Sequence, residues 1–273
     1  MLARTIKRIS RRAALEGRAL PNRVKDRLLS GLGEDYKYQR GMVGMRASLV
    51  NLRRNGFSPA AILDVGAYRG DWSRMARAIY PGVPIYMLEA NPETEPFLAT
   101  ASREIGAADF RIALLGPKPA AAVEFHIRGT GSSVLPENTA TPYSIAQLPM
   151  TTLDQVLLAA QPYPAPYFLK LDVQGFELEI LRGAERVLQN TEAALLEVSL
   201  LEYNQGAPLF AEVVAFMEAR NLVVYDVSGF FRRESDGALF RIVLLFVRQS
   251  SALRSKKRFW NWEAGLDISP AFQ

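Results

Sequence analysis

The chain has 273 residues, 49% hydrophobic and 22% charged, which is enough for one large core. It contains no cysteine, which excludes disulfides, cysteine–zinc sites and thiol catalysis, and its single histidine excludes a cluster of histidine ligands. The net charge of +5 is uneven, because residues 1–40 hold 11 Lys and Arg against 4 Asp and Glu, while the rest holds 22 against 24. The basic charge therefore lies outside the main body, and we expect no nucleic-acid partner.

Residues 1–45 predict a basic helical arm ahead of the body. Such an arm either packs lightly on the body or lies on an anionic membrane surface or anionic partner. An Arg-rich, acid-poor start is also typical of an organelle transit peptide. No apolar run is long enough to span a bilayer and no signal-peptide core is present, so we expect a cytoplasmic protein. If the arm lies on a membrane, the protein is peripheral at the inner membrane surface.

The body begins with an apolar run at 62–65 that predicts a buried parallel strand. Gly66 and Gly70 then allow a sharp turn beside a ligand, and a helix is predicted over 72–80. A strand, a glycine turn and a helix N-terminus favour a nucleotide-type site. The G-x-x-x-G spacing differs from a dinucleotide fingerprint, and a carboxylate at Asp64 would repel a pyrophosphate but suit the ammonium group of S-adenosylmethionine.

A second apolar run, at 85–89, ends in an acid 19 positions after Gly70. In open α/β sheets, the acid at the tip of the second strand accepts hydrogen bonds from ribose hydroxyls. Glu89 therefore predicts a ribose contact. Pro92 fits the first turn of the following helix, which we expect to reach about residue 105.

Further strands are predicted at 110–115 and 123–127, the latter half-exposed because apolar and polar residues alternate. A polar loop over 129–142 is long enough to be a lid or binding loop. Thr152 begins a capping-box spacing, which predicts a short helix from that point.

A fourth strand over 167–172 has Asp172 at its tip and is followed by a predicted helix over 176–188. The remaining elements are a strand over 194–198, a helix over 209–220, and two strands at 222–227 and 241–247. Those two strands have no helix between them, which predicts an antiparallel pair at one edge of the sheet. Residues 251–273 form a basic, aromatic tail that either folds back on the body or contacts a membrane interface.

Four stretches of the body resemble the FkbM family of S-adenosylmethionine-dependent methyltransferases. They are ILDVGAYRG at 62–70, EANP at 89–92, TLD at 152–154, and LKLDVQGFE at 169–177 running into LRGA at 181–184. Their order and spacing match over roughly residues 60–248, and the resemblance implies a methyltransferase domain over residues 46–250.

The resemblance implies a class I, Rossmann-like α/β fold. Such a fold has a seven-stranded, mostly parallel sheet with an antiparallel last strand, helices on both faces, and a β-hairpin or loop insertion after the third strand. The resemblance also implies O-methylation of a hydroxyl on a sugar, glycolipid, polyketide or related metabolite.

The resemblance implies S-adenosylmethionine contacts from ten residues: Asp64, Gly66, Ala67, Tyr68, Gly70, Glu89, Ala90, Asn91, Ala113 and Leu114. Ser132 and Ser133 resemble a serine pair of the family's insertion loop and, with His126, are candidates for contact with the acceptor. The chain departs from the family's common pattern at Tyr68, where Asn is frequent, and at Gln174, where Glu is frequent.

Methyl transfer to an alcohol is a displacement that needs positioning and a base for the hydroxyl proton. Asp172 is the best candidate base, since open α/β sheets place their sites at the strand tips. Lys170 shares a face of the strand with Asp172 and either stabilises a developing alkoxide or pairs with that carboxylate. Glu177 is a third candidate or an ordinary acid in the first turn of a helix. His126 is an alternative base or an ordinary hairpin residue.

Two other functions stay open. A nicotinamide-dependent oxidoreductase would share the strand–turn–helix pattern, although Asp64 and the missing middle glycine argue against it. A methyltransferase-fold partner protein that binds the cofactor without catalysis is compatible with Tyr68 and Gln174.

Overall fold

The structure is a computed structural model that describes residues 43–139, 142–160 and 163–256. The predicted basic arm falls almost entirely, and the C-terminal tail largely, outside the described residues. The expected roles of both segments and the domain limits at 45 and 250 therefore stay predictions.

A seven-stranded sheet forms the centre of the fold, with strand order β3-β2-β1-β7-β8-β10-β9. Its strands are β1 (Ala61–Val65), β2 (Ile85–Glu89), β3 (Ala108–Ile112), β7 (Tyr167–Leu171), β8 (Thr191–Ser199), β9 (Leu222–Arg232) and β10 (Leu239–Arg248). Strands β1, β2, β3, β7 and β8 pair in parallel, whereas β10 is antiparallel to both neighbours. The predicted mostly parallel sheet with an antiparallel last strand is confirmed.

Seven α-helices occur among the described residues. They are α1 (Met45–Arg54), α2 (Asp71–Ile79), α3 (Glu95–Ile105), α4 (Leu153–Ala159), α5 (Glu177–Arg182), α6 (Glu185–Gln189) and α7 (Phe210–Glu218). Apolar residues of α1 to α3 pack on one face of the sheet and those of α4 to α7 on the other. Strands β1, β2 and β7 are buried along their whole length because both faces are covered.

A second, three-stranded sheet follows β3, as expected for the insertion. It has the order β4-β6-β5 and consists of β4 (Leu114–Leu115), β5 (Ala120–Ile127) and β6 (Ser144–Thr151). The predicted strand over 110–115 is thus split, since its last two residues leave the main sheet and pair with β6. Strand β6 was not predicted, because exposed Ile145 and Pro149 interrupt its alternating pattern.

The single helix predicted over 176–188 is also wrong in detail, because the chain forms α5 and α6 with a break at Gly183. A Cβ atom at Gly183 would lie 2.2 Å from the carbonyl oxygen of Gly116, so this close approach excludes a side chain. The carboxylate of Asp154 accepts hydrogen bonds from the backbone N–H groups of Arg186 and Val187, each at 3.0 Å. Those contacts start α6 as a separate helix.

Within the described ranges, no helix is both long and apolar enough to cross a membrane.

Candidate functional site

A cavity of about 220 Å³ lies at the carboxyl ends of β1, β2 and β7, where the second sheet covers that edge. Open parallel sheets bind ligands at this edge, because the loops that follow the strands converge there. Most of the predicted site residues line it: Gly66, Ala67, Tyr68, Glu89, Ala90, Ala113, Leu114, Ser132, Ser133, Lys170 and Asp172. Five do not line it: Asp64, Gly70, Asn91, His126 and Glu177.

Gly66 brings the loop after β1 against the loop after β7. Its φ is +74°, and a Cβ there would lie 1.9 Å from the backbone oxygen of Asp172. No side chain fits that gap, so glycine is required at this position. Gly70, also in the left-handed region, lies at the N-terminus of α2, where its backbone packs against Ala101 of α3.

Glu89 is held in one orientation on the cavity wall by three backbone donors. Its Oε2 accepts from the N–H of Tyr68 at 2.7 Å, and its Oε1 accepts from those of Ala90 and Asn91 at 2.9 Å. Burial raises the pKa of this carboxyl, although these donors and Lys170 oppose the shift. Asn91 itself caps the turn after β2 by accepting from the N–H of Glu93.

Lys170 pairs with Asp64 rather than with Asp172. Its Nζ lies 3.0 Å from Asp64 Oδ1 and donates to the carbonyl oxygen of Gly66 at 2.7 Å. Ser73 donates to the other Asp64 oxygen at 2.6 Å. Burial lowers the pKa of Lys170, but the charges of Asp64 and Asp172 outweigh it, so that the net shift is upward. The lysine is therefore a charged cross-link between β7 and the end of β1.

Asp172 is the acid that directly follows β7 and reaches the cavity. Its Oδ1 accepts a hydrogen bond from Gln174 Nε2 at 3.0 Å. Gln174 has a φ of +57° and Tyr68 a φ of +48°, and both line the cavity. Side-chain-bearing residues rarely adopt this conformation, and such residues concentrate at functional sites.

Glu177 supports the turn after Asp172 instead of facing the cavity. Its Oε1 accepts from the backbone N–H groups of Val173 at 3.1 Å and Gly175 at 3.2 Å. Burial raises its pKa to about 7. Its predicted catalytic role stays a prediction, and the contacts seen are those of a group that fixes the turn.

The insertion supplies the outer wall. Ser133 is buried and donates to the carbonyl oxygen of Gln174 at 3.0 Å, which ties the insertion to the turn after β7. Ser132 donates to the carbonyl oxygen of Gly129 at 2.8 Å. His126 is buried in β5, with Nε2 3.0 Å from Glu124 Oε1 and its ring edge-on to Tyr143. The predicted acceptor contacts of these residues are untested.

Several residues of the site were not predicted from the sequence. The cavity has an apolar wall formed by Trp72, Leu115, Phe125 and Phe176. Phe176 follows the Gln-Gly pair directly and could have been inferred from that motif. Arg241 of β10 contacts Glu197 at 2.8 Å, but it approaches through long-range strand pairing that leaves no local signal.

A metal centre finds no support in the described part of the chain, where no three His, Asp or Glu side chains are grouped so as to hold an ion.

Comparison with known proteins shows which family the chain resembles in sequence. The model of the methyltransferase FkbM domain matches residues 64–224, which includes the glycine loop, Glu89, Asp172 and the whole insertion. No curated protein matches the chain.

Similar solved structures include the methyltransferase FkbM of Methylobacillus flagellatus KT, at 14% identity and a TM-score of 0.46 over 78% of this chain. The chain spans 50% of the length of that protein. A putative O-methyltransferase from Klebsiella pneumoniae has 12% identity and a TM-score of 0.44, covering 74% of this chain and 79% of its own. Precorrin-6y C5,15-methyltransferase from Geobacter metallireducens GS-15 has 15% identity and a TM-score of 0.43, covering 75% and 87%.

Proposed function

This chain belongs to the FkbM methyltransferase family, and on that basis we propose that it uses S-adenosylmethionine to methylate a hydroxyl group of a sugar, glycolipid, polyketide or related metabolite. One observation carries the proposal. Glu89 is the last residue of β2 and Asp172 directly follows β7, which are the two strands that flank β1, and both side chains reach the same cavity. A candidate ribose-binding acid and a candidate base thus share one site.

The residues present fit this cofactor. Glu89 has a fixed carboxylate for the ribose hydroxyls, and the apolar residues Ala113 to Leu115 and Phe125 suit an adenine ring. The loop from Gly66 to Tyr68 lets the ligand approach the backbone closely. Carboxylates outnumber cations by three to two among the residues that line the cavity, which favours a cofactor that carries positive charge. When bound, S-adenosylmethionine supplies an activated methyl group.

The protein's part in the reaction is to orient the acceptor and remove its proton. Asp172 takes the hydroxyl proton on a carboxylate oxygen, and Gln174 holds that carboxylate in place. Lys170 keeps the turns after β1 and β7 together and places a positive charge on the cavity wall. Phe125 and Phe176 line the cavity with apolar surface, and electrostatic interactions are stronger beside apolar groups than in water.

The experiment is a transfer assay with methyl-labelled S-adenosylmethionine and a panel of sugar, glycolipid and polyketide alcohols. The expected result is label in an ether-linked methyl group of at least one acceptor, released by conditions that cleave ethers but not by those that cleave esters or amines. Label transferred only to nitrogen, carbon or carboxylate acceptors would contradict O-methylation. Cofactor binding with no transfer to any acceptor class would favour the non-catalytic partner protein.

A further inference from the structure

The side chain of Gln174 joins two carboxylates behind the cavity. Its Nε2 donates to Asp172 Oδ1 at 3.0 Å and to Glu197 Oε2 at 3.1 Å. Its Oε1 accepts from Arg241 Nη1 at 2.9 Å, and the same nitrogen lies 2.8 Å from Glu197 Oε2. The side chains of Glu197 and Arg241 are only 10% and 9% exposed, so solvent takes little part in these contacts.

Only an amide satisfies this arrangement. Two N–H groups serve the two carboxylates, while the carbonyl oxygen serves the guanidinium. A carboxylate at position 174 would have no proton to donate and would face Asp172 and Glu197 with a like charge. The backbone is fixed as well, since Gln174 has a φ of +57° and its carbonyl oxygen accepts from Ser133.

Several charged groups face Asp172 from the elements packed around it. They are Lys170 of β7, Glu177 of α5, Glu197 of β8 and Arg241 of β10. Lys170 is already paired with Asp64, which leaves Arg241 as the close cation of the group. Burial, followed by the charge of Asp172, raises the pKa of Glu197 to about 9 even though Arg241 lowers it. Asp172 and Glu197 accept from the same nitrogen atom of Gln174, and two partly desolvated carboxyls held together in this way share a proton rather than both ionising.

We propose that Gln174 is a positioning residue that holds Asp172 and Glu197 as a carboxylate–carboxylic acid pair that shares one proton, so that the pair carries a single negative charge beside the cavity. This extends the proposed function, because it rests on Asp172 as the base. The proton balance is simple: the acceptor hydroxyl gives its proton to a carboxylate oxygen of Asp172, and the pair, which then holds two protons, becomes neutral.

The first test is infrared spectroscopy on the whole protein, which needs neither cofactor nor acceptor. The wild-type spectrum minus that of Glu197→Gln at pH 7.5 should show one protonated carboxyl band, which disappears with a midpoint near pH 9. Glu192→Gln, on the same strand, is the matched control and should leave the band in place. Absence of the Glu197 band from the folded protein would overturn the pair, whatever the enzyme's turnover.

Gln174→Met tests the positioning role, since methionine has a similar length and no amide. Losing a donor disfavours the ionised forms, so the midpoint of the Glu197 band should rise by about one pH unit. The acidic limb of the pH profile of kcat/KM should move upward by a similar amount. If neither the midpoint of the Glu197 band nor the acidic limb of the kcat/KM profile moves, the positioning role of Gln174 is wrong. If this variant does not fold, the Glu197→Gln difference spectrum still decides whether the pair exists.

The two proposals fail differently. If the protein shows the Glu197 carboxyl band but transfers no methyl group, the proposed function is wrong and the carboxyl pair stands. If the protein transfers methyl groups but lacks the band, the carboxyl pair is wrong and the proposed function stands.

Discussion

The Nζ atom of Lys170 lies 3.0 Å from Oδ1 of Asp64, and both side chains are buried between the central strands β7 and β1. The pair occupies adjacent registered positions, because Asp64 is the Cα partner of Lys170 in the parallel ladder. Lys170 also reaches the carbonyl oxygen of Gly66, at the start of the glycine loop. The ion pair and this hydrogen bond thus connect the centre of the sheet to the glycine loop that lines the cavity.

Lys170→Met should destabilise the protein by about 3–5 kcal/mol, because it leaves Asp64 as an uncompensated buried charge. Replacing Asp64 by Asn in the same chain removes that charge and should recover a large part of the loss. Urea unfolding of wild type, the single variants and the double variant measures the coupling. A double variant no more stable than Lys170→Met would show that the two side chains do not act as a pair.

Gly66→Ala should cost about 3 kcal/mol or more, since the new Cβ would lie 1.9 Å from the backbone oxygen of Asp172. Gly82→Ala is the matched control. Gly82 also has a positive φ, +81°, but nothing lies within 4 Å of its Cβ position, so only backbone strain of about 1 kcal/mol is expected. If urea unfolding shows the same loss of stability for Gly66→Ala and Gly82→Ala, backbone strain alone, and not the contact between the two turns, explains why position 66 is a glycine.

The free energy of unfolding should fall as pH rises from about 5 to 9. The folded-state pKa of Glu197, about 9, lies above its unfolded value of about 4.5. The stability that comes from protonated Glu197 is therefore fully present below about pH 4.5 and decreases as the pH rises from there to about 9. Each such group contributes at most about 1.4 kcal/mol per pH unit. Glu197→Gln should flatten the dependence, and Glu177, whose pKa is about 7, should account for part of the remainder.

The check is urea unfolding at pH 5.5, 7 and 8.5 for wild type and Glu197→Gln. The same pH slope in both proteins would show that Glu197 ionises normally in the folded state.

Asp172→Asn should lower turnover by about 10²-fold or more while leaving cofactor affinity nearly unchanged, because it removes the base and keeps the shape. His126→Ala is the comparison, since His126 is not part of the cavity wall and contacts Glu124 and Tyr143 instead. Both are measured with labelled cofactor and an acceptor found in the screen. Full turnover in Asp172→Asn together with loss of activity in His126→Ala would move the base to the histidine.

Much of the fold followed from local pattern. Apolar runs that end in Gly66, Glu89 and Asp172 predicted three parallel strands and placed their tips at one edge. The antiparallel edge followed from two strands with no helix between them. The break of the helix at Gly183 could not be predicted, because the contacts made there by Gly116 and Asp154 come from segments distant in sequence.

The site was predicted less completely than the fold. Glycines and acids at strand tips carry a local signal, so Gly66, Glu89 and Asp172 could be predicted from the sequence, and all three line the cavity. The partner of Lys170 could not be predicted, because the sequence allows the lysine to pair with either Asp64 or Asp172. The register of β1 and β7, which places Asp64 opposite Lys170, decides between them. Arg241 gave no signal at all, because its approach to Glu197 depends on how β10 inserts between β8 and β9.

The most direct test is ligand-dependent stability of the whole protein, measured by thermal unfolding with S-adenosylhomocysteine and separately with NAD. We expect S-adenosylhomocysteine at about 100 times its dissociation constant to add roughly 2.7 kcal/mol and raise the Tm, while NAD has no effect. Glu89→Gln should weaken the response by about 1–3 kcal/mol in binding free energy, whereas Glu93→Gln, an exposed acid on the same turn, should not. Stabilisation by NAD with no response to S-adenosylhomocysteine would contradict the assignment of the cavity to a methyltransferase cofactor.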